Sequence, residues 1–490
     1  MMNPVTTSTL IISPLSWAKP DPKSLIPMSV NHSIFQSPFS WRYGSDAMRL
    51  IWSEAYKRRL WRRIWVALAE AQARFGLVTP EQAADLRAHA DQIDLDRALQ
   101  IEAEIKHDLM AEVKTFAEQC PLGGGIIHLG ATSMDIEDNA DALRLHQGLD
   151  LILKSIASLL QTLEALIGKW AGTPLMAFTH IQPAEPSTLG YRLALYGQDL
   201  LEDYRAITRQ RAAIRGKGFK GAVGTSAAYA ELLGAKNLAA FEQKLSEKLG
   251  LPFYPVTSQV YPRKQDYAVV SVLAGLGASL YKLAFDLRLL QSPMFGELSE
   301  PFGRNQVGSS AMPFKRNPIR AEKINSLARY LAGLPHLAWD NAAHSLLERT
   351  LDDSANRRIL LPEAFLAADE LLRTANSILS KLQVDESAIA RNMALYGPFA
   401  ATERVLMALV KSGADRQIMH ERIRTIAMQA WEAIRRGDEN PLTALLCQDG
   451  QLTEYLPEQE IRRLMDARSH IGDASVRALG MAKMIHEELE

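Results

Sequence analysis

Residues 308–317 read GSSAMPFKRN and gather two hydroxyls, a lysine and an amide within ten positions. They join two long helical stretches and therefore read as a loop, with Gly308 letting it move. Such a loop can close on a bound anion, exclude water and set a hydroxyl against a proton. A serine hydroxyl is a weak acid, so Ser309 acts as a base only beside positive charge and backbone donors. Lys315 supplies that charge if the loop folds back on itself. A polar surface loop is the alternative reading of the same residues. His180, in the run THIQPAEP, carries an imidazole that titrates near neutrality and can give a proton to a leaving amine. A lone loop histidine is otherwise structural or solvated.

Helices must hold these groups. From Asp46 onward the periodicity is helical: Leu149, Ile152, Ile156, Leu159, Leu163, Leu166 and Trp170 recur every three or four residues and mark a buried face. Similar stripes run through 189–214, 266–291 and about 321–347. Helices of that length packed side by side make a bundle, and the class is all-α. Such faces are often buried between subunits, so an oligomer is expected. The expected domains are a disordered tail over 1–35, an N-terminal helical domain over 36–125, a central helix-bundle domain over 126–380 and a C-terminal helical domain over 381–490. The stretch 173–187, with Pro174, Pro183 and Pro186, reads as a rigid connection leading to a helix that starts near Ser187.

Fifty-five basic side chains face 56 acidic ones in 490 residues, a formal net charge of −1. There is no global basic excess of the kind nucleic-acid binding requires. The cluster KRRLWRR over 57–63 reads as a solvated helix face or a subunit contact, because Trp61, Ile64 and Leu68 share a stripe. Small anionic substrates stay open, since a phosphate needs only a few placed arginines. Two cysteines, Cys120 and Cys447, are too few for a disulfide framework or a Cys-rich metal site and suit a reducing compartment. The longest candidate membrane segment, 267–281, is bounded by Asp266 and Lys282 and falls short of the roughly 20 apolar residues of a span, so no membrane partner is expected. The N-terminal segment has no basic residue before TLIIS, unlike a secretory leader. A start at Met28 is a second possibility, and the expected location is the cytoplasm.

Further blocks carry polar groups. In KHDLMA over 106–111, His107 is either a polar residue on an amphipathic helix or an orienting group. Thr132 and Asp135 have capping-box spacing, and a helix start with free amides and the hydroxyls of Thr132 and Ser133 also suits a carboxylate. Arg42-Tyr43 and the run RTLDDSANRR over 349–358 offer forked guanidinium groups for an oxyanion. The longer run also fits a helix held by ion pairs.

Taken together, GSSAMPFKRN, THIQPAEP, KHDLMA, HLGATS and the 349–358 run resemble the adenylosuccinate lyase family of the fumarase/aspartase superfamily, over about residues 40–480. The resemblance implies a fumarase/aspartase-like long central helix bundle with smaller helical N- and C-terminal domains. It also implies a homotetramer whose active sites each draw on three subunits. The implied reaction releases fumarate from a succinyl nucleotide, with no metal and no organic cofactor. By the same resemblance Ser309 is the base, His180 the general acid and His107 a substrate-orienting group, while Lys315 and Asn317 hold the dianion. Thr132 and Ser133 then hold the succinyl group, Arg42, Tyr43, Arg349, Ser354 and Arg358 the nucleotide phosphate region, and Asp108 another part of the substrate. Three positions depart from the family pattern: Ser226 stands in place of glutamine, and Lys106 and Lys323 in place of arginine. These substrate-site changes bear on preference among succinyl nucleotides, since lysine lacks the guanidinium fork. Two alternatives stand beside this reading. One is another fumarate-releasing lyase of the argininosuccinate lyase type, which would not need Arg42, Arg349 and Arg358 for a phosphate. The other is a non-catalytic structural homologue.

Overall fold

A computed structural model describes residues 33–490. The tail expected over 1–35 and the start at Met28 lie, up to residue 32, outside the described residues. Leu149, Ile152, Ile156, Leu159 and Leu163 are all fully buried along a single helix, Ser133–Trp170. By the end of that helix the 3.6-residue repeat has carried the stripe onto Ile167, leaving Leu166 half-buried. The other helices of 25 residues or more are Leu189–Ala213, Lys264–Leu290, Ile319–Ala343, Asp352–Leu379 and Glu386–Lys411.

Two compact units divide the chain; each of these helices except Glu386–Lys411 contributes residues to both. The first takes the described residues up to Ile152 with Ile207–Ala274 and Gly333–Glu370. The second takes Leu153–Ala206, Gly275–Ala332 and Leu371–Glu490.

In the first unit, the helices Asp46–Ile51, Glu54–Arg74, Pro80–His89 and Leu95–Ile105 are N-capped by Ser45, Ser53, Thr79 and Asp94 in turn. Each cap oxygen accepts a backbone N–H left free at a helix start. Trp61, Ile64 and Leu68 are buried as their shared stripe requires. The basic cluster around them, however, is not a solvated face. Arg58 and Arg62, one turn apart, lie on the buried side with Glu112 between them, at 3.1 Å from Arg58 Nη1 and 2.5 Å from Arg62 Nε. The carboxylate that makes this burial possible comes from the distant helix Asp108–Gln119, so local sequence gave no sign of it. Arg59 and Arg63 lie more openly and both reach Asp91.

In the second unit, 173–187 is a β-hairpin and not merely a connector. Pro174–Thr179 runs antiparallel to Gln182–Thr188, pairing Pro174 with Thr188 and Thr179 with Gln182. Prolines are tolerated because a two-stranded ribbon leaves each strand one edge without ladder bonds. The helix after it starts at Leu189, with Thr188 Oγ1 accepting the Tyr191 N–H at 3.1 Å. Leu298–Ser299 and Gln383–Val384 form the other short pair. The C-terminal helices close on a core that includes Ala401, Val405, Leu409, Ile423, Leu446 and Ile461.

Three described helices, Ser133–Trp170, Lys264–Leu290 and Glu386–Lys411, are long and apolar enough to cross a membrane by length and composition. None of the three is one uninterrupted apolar run in sequence; each is apolar only as a helical window that tolerates a charge. Part of this apolarity is spent on packing, since Leu273, Leu276, Leu280, Val405 and Leu409 are buried.

Candidate active site

The first unit holds a charged cavity of about 130 Å³ whose walls include Lys57, Asp108, Glu137, Arg349, Ser354 and Arg358. Lys106 closes the helix Leu95–Ile105 in the left-handed conformation, φ 57°, and turns the chain directly into the next helix. His107 caps that helix, its Nδ1 accepting the Met110 N–H at 3.4 Å. A neutral ring that accepts at Nδ1 carries its proton on Nε2. Asp108 Oδ1 accepts the Leu109 N–H at 2.8 Å, and its Oδ2 accepts Arg358 Nη2 at 2.7 Å. Burial raises the Asp108 pKa, but the bond and charge of Arg358 outweigh it and hold the carboxyl below its ordinary range.

Arg349, Arg357 and Arg358 have different duties. Arg349 Nη1 donates to Asp353 Oδ1 at 2.7 Å. Arg357 is buried, donating from Nε to Asp266 at 2.7 Å and from Nη2 to the Tyr261 hydroxyl at 2.8 Å. Arg358, the next residue, faces outward with its side chain 54% exposed. Ser354 is half-buried one turn earlier. Arg42 and Tyr43 follow the 3₁₀ turn Pro38–Ser40, and both backbone amides donate to the Pro38 carbonyl. The Arg42 guanidinium lies 5.5 Å from the Trp41 ring centre.

At the start of the Ser133–Trp170 helix, the Thr132 N–H donates to Asp135 Oδ2 at 3.1 Å, one half of the expected capping box. The same buried carboxylate accepts Lys217 Nζ and the Lys220 and Gly221 amides, so it also anchors the segment that leads to Ser226. Ser226 stands in the left-handed region, φ 57°, just before Ala227–Leu233, and its side chain makes no cap. Gly224 nearby must be glycine: its φ is +85°, and a Cβ would sit 1.9 Å from the Thr257 carbonyl oxygen.

The second unit holds the 308–317 loop, which does fold back. Asn317 Nδ2 donates to the Gly308 carbonyl at 2.9 Å. A Cβ on Gly308 would lie 2.0 Å from the Lys315 carbonyl oxygen, so this glycine permits close approach as well as movement. Ser309 Oγ accepts the amides of Met312 at 3.1 Å and Ala311 at 3.4 Å. Among the described residues no hydrogen bond joins Ser309 to the Lys315 ammonium or to His180; Lys315 is exposed. The loop is fastened at its far end by Gln291 Nε2, which donates to the Arg316 carbonyl at 3.0 Å. Lys323 lies half-buried on the following helix, Ile319–Ala343.

His180 and Ile181 form the hairpin tip, both exposed, with φ of 53° and 60°. Two successive left-handed residues make the turn that best fits strand twist, but it favours Asn and Gly. A β-branched residue in that conformation is strained. The strand that leads to the tip is packed in place: Phe178 lies edge-on against Phe295 with ring centres 4.8 Å apart, and Arg192 donates to the Met176 carbonyl at 2.9 Å and to Glu297 at 2.6 Å.

A family profile described as "Lyase" matches residues 42–333, and one described as "Adenylosuccinate lyase C-terminus" matches 398–477. The adenylosuccinate lyase of Saccharomyces cerevisiae is 39% identical over 450 residues, covering 90% of this chain and 92% of that protein. That of Pyrococcus horikoshii is 35% identical over 442 residues, covering 89% and 95%. This chain belongs to the adenylosuccinate lyase family. Among solved structures, a 3-carboxy-cis,cis-muconate lactonizing enzyme from Pseudomonas putida superposes with a TM-score of 0.82 at 27% identity, covering 92% of this chain and all of that one. A fumarate lyase from Mesorhizobium sp. BNC1 gives 0.80 at 25%, covering 92% and 99%. The all-α, fumarase/aspartase-like class follows from the helices and from these neighbours.

In this lyase-family chain, sequence reasoning missed the acidic wall of the cavity. Glu137 and Asp141 share a helix face at i, i+4, and burial pushes Glu137 up to about 8, with Asp108, Asp141 and Asp138 adding to the shift. Asp141 is driven the other way. Burial raises it, but Arg357 and Arg144 hold it below its ordinary range. The i, i+4 spacing and the i, i+3 partner Arg144 are local; Arg357 comes from a remote segment, which a single sequence does not display.

Proposed function

We propose that this chain eliminates fumarate from adenylosuccinate, giving AMP, and from SAICAR, giving AICAR, in purine biosynthesis. Ser309 takes the proton from the carbon beside the succinyl carboxylate, and the electron pair enters that carboxylate as a dianion near Lys315 and Asn317. Collapse of the dianion forms the C=C bond of fumarate and breaks the C–N bond. His180 gives its proton to the departing nitrogen. The observation that carries this reading is the setting of Ser309, whose Oγ accepts two backbone amides inside a loop clamped by Asn317. Amide donors favour the charged oxygen over the neutral one.

Thr132 and Ser133 then hold the succinyl group, while Arg42, Tyr43, Arg349, Ser354 and Arg358 hold the phosphate. His107, Lys106, Asp108, Ser226 and Lys323 complete the substrate contacts. The reaction draws on these side chains alone, without a metal or organic cofactor. We infer a cytoplasmic homotetramer with active sites shared among three subunits, acting on a small molecule and not on nucleic acid or a membrane. Phe285 and Trp339 support assembly, being 53% and 47% exposed on long helices. The test is fumarate release by the purified protein from adenylosuccinate and argininosuccinate offered separately, with Ser309→Ala as control. Release from adenylosuccinate alone, lost in the variant, supports the reading. Release from argininosuccinate, or undiminished release by the variant, overturns it.

A further inference from the structure

We propose that Asp85, His89 and Cys120 form a binding site for a thiophilic divalent cation of the Zn²⁺ class, apart from the elimination chemistry. Their ligand atoms all lie within 4.8 Å of one another. Asp85 and His89 share one face of the helix Pro80–His89 at i, i+4, and Cys120 closes the helix Asp108–Gln119. One sulfur, one imidazole and one carboxylate make a mixed donor set suited to Zn²⁺, with a fourth position left for water.

Asp85 and His89 are oriented by bonds that do not depend on a cation, and Cys120 by its place at a helix end. Asp85 Oδ2 accepts the amides of Leu122 at 2.9 Å and Gly123 at 2.8 Å. His89 Nδ1 lies 2.9 Å from the Asp85 carbonyl oxygen and 3.3 Å from Asp85 Oδ1. Cys120 is a free, buried thiol at a fixed helix end. The turn that carries it is pressed onto the Pro80–His89 helix, since a Cβ on Gly123 would meet the Gln82 carbonyl oxygen at 2.6 Å. Donors held this way need little reorganisation on binding.

The charges balance as well. A dication with one thiolate and one carboxylate is neutral, and the Cys120 proton leaves to solvent as the sulfur–metal bond forms. The nearest buried cation, Arg62, is already answered by Glu112 at 2.5 Å and by the carbonyl oxygens of His89 and Gln92 at 3.2 and 2.9 Å. The His89 side chain is 28% exposed and opens a route from solvent. Binding would tie two helix ends and the Gly123 turn together, so its consequence is stability.

The test titrates the full-length protein with Co²⁺ and then Zn²⁺. One Co²⁺ per chain should give a sulfur-to-cobalt charge-transfer band that Zn²⁺ abolishes, and Zn²⁺ should raise the melting temperature. Cys120→Ser should lose the band, and His89→Gln should weaken Zn²⁺ binding by about tenfold or more. Cys447→Ser should change neither. Circular dichroism checks folding, and if Cys120→Ser is misfolded the His89→Gln titration decides. No band at saturating Co²⁺, a band that survives in folded Cys120→Ser, or unchanged Zn²⁺ binding in His89→Gln overturns the proposal.

Discussion

Arg358 donates to Asp108 at 2.7 Å, joining the helix Asp352–Leu379 to the first turn of Asp108–Gln119. Both residues belong to the proposed substrate site, so a phosphate arriving at Arg358 competes with Asp108 for the same guanidinium. Arg358→Ala should raise KM for adenylosuccinate by about tenfold or more, some 1.4 kcal/mol, with a smaller fall in kcat. Arg358→Lys should rescue only part, because an ammonium lacks the fork. Steady-state kinetics decide, and an unchanged KM in both variants removes Arg358 from phosphate recognition.

The loop allows chemistry and positioning to be separated. Ser309 Oγ bonds only to amides of its own loop among the described residues, so Ser309→Ala should fold normally while kcat drops by about 10²–10⁴. Asn317→Ala removes the clamp on Gly308 as well as the proposed dianion contact, and should lower kcat and speed proteolysis within 308–317. Equal proteolysis of the Asn317 variant and wild type would show that the clamp does not order the loop.

Burial and remote partners account for what the sequence did and did not disclose. The stripe from Leu149 to Leu163 was legible because helical periodicity is a local property. The hairpin was not, since Pro174, Pro183 and Pro186 argue against a central strand and only a two-stranded ribbon accommodates them. The burial of Arg58 and Arg62 was equally hidden, because Glu112 lies 50 residues beyond Arg62. In the candidate site, the compact motifs KHDLMA and 349–358 are legible because each is a local run of residues. Glu137, Asp141 and Arg357 matter through contacts between distant segments, which a single sequence does not display.

Lys217 gives a stability test. It is fully buried, and its ammonium bonds Asp135 and the Gly221 carbonyl. Lys217→Met should destabilise the fold by about 3–5 kcal/mol, because it leaves Asp135 a buried charge with amide partners only. Adding Asp135→Asn should recover part of that loss. Urea unfolding of the single and double variants measures both, and a Lys217→Met cost below about 1 kcal/mol would mean the amides alone suffice.

Glu137 should make stability fall as pH rises. Its folded pKa is pushed up to about 8 by burial, with the negative charges of Asp108, Asp141 and Asp138 adding and Lys57 opposing. The unfolded value is about 4.3. Between those two values the folded chain keeps a proton that the unfolded chain has released, so each rise in pH favours unfolding. Below the lower value both states are protonated and the effect vanishes. Above the upper value both are ionised and it is constant. Glu137→Gln cannot ionise, so its stability relative to wild type should be least near pH 4, grow through neutrality and level off above about pH 8. Urea midpoints of both proteins at about pH 5 and about pH 8 give the comparison. A gap that stays constant would mean that Glu137 titrates in the folded chain as it does in the unfolded one, with Lys57 or solvent cancelling the acidic wall.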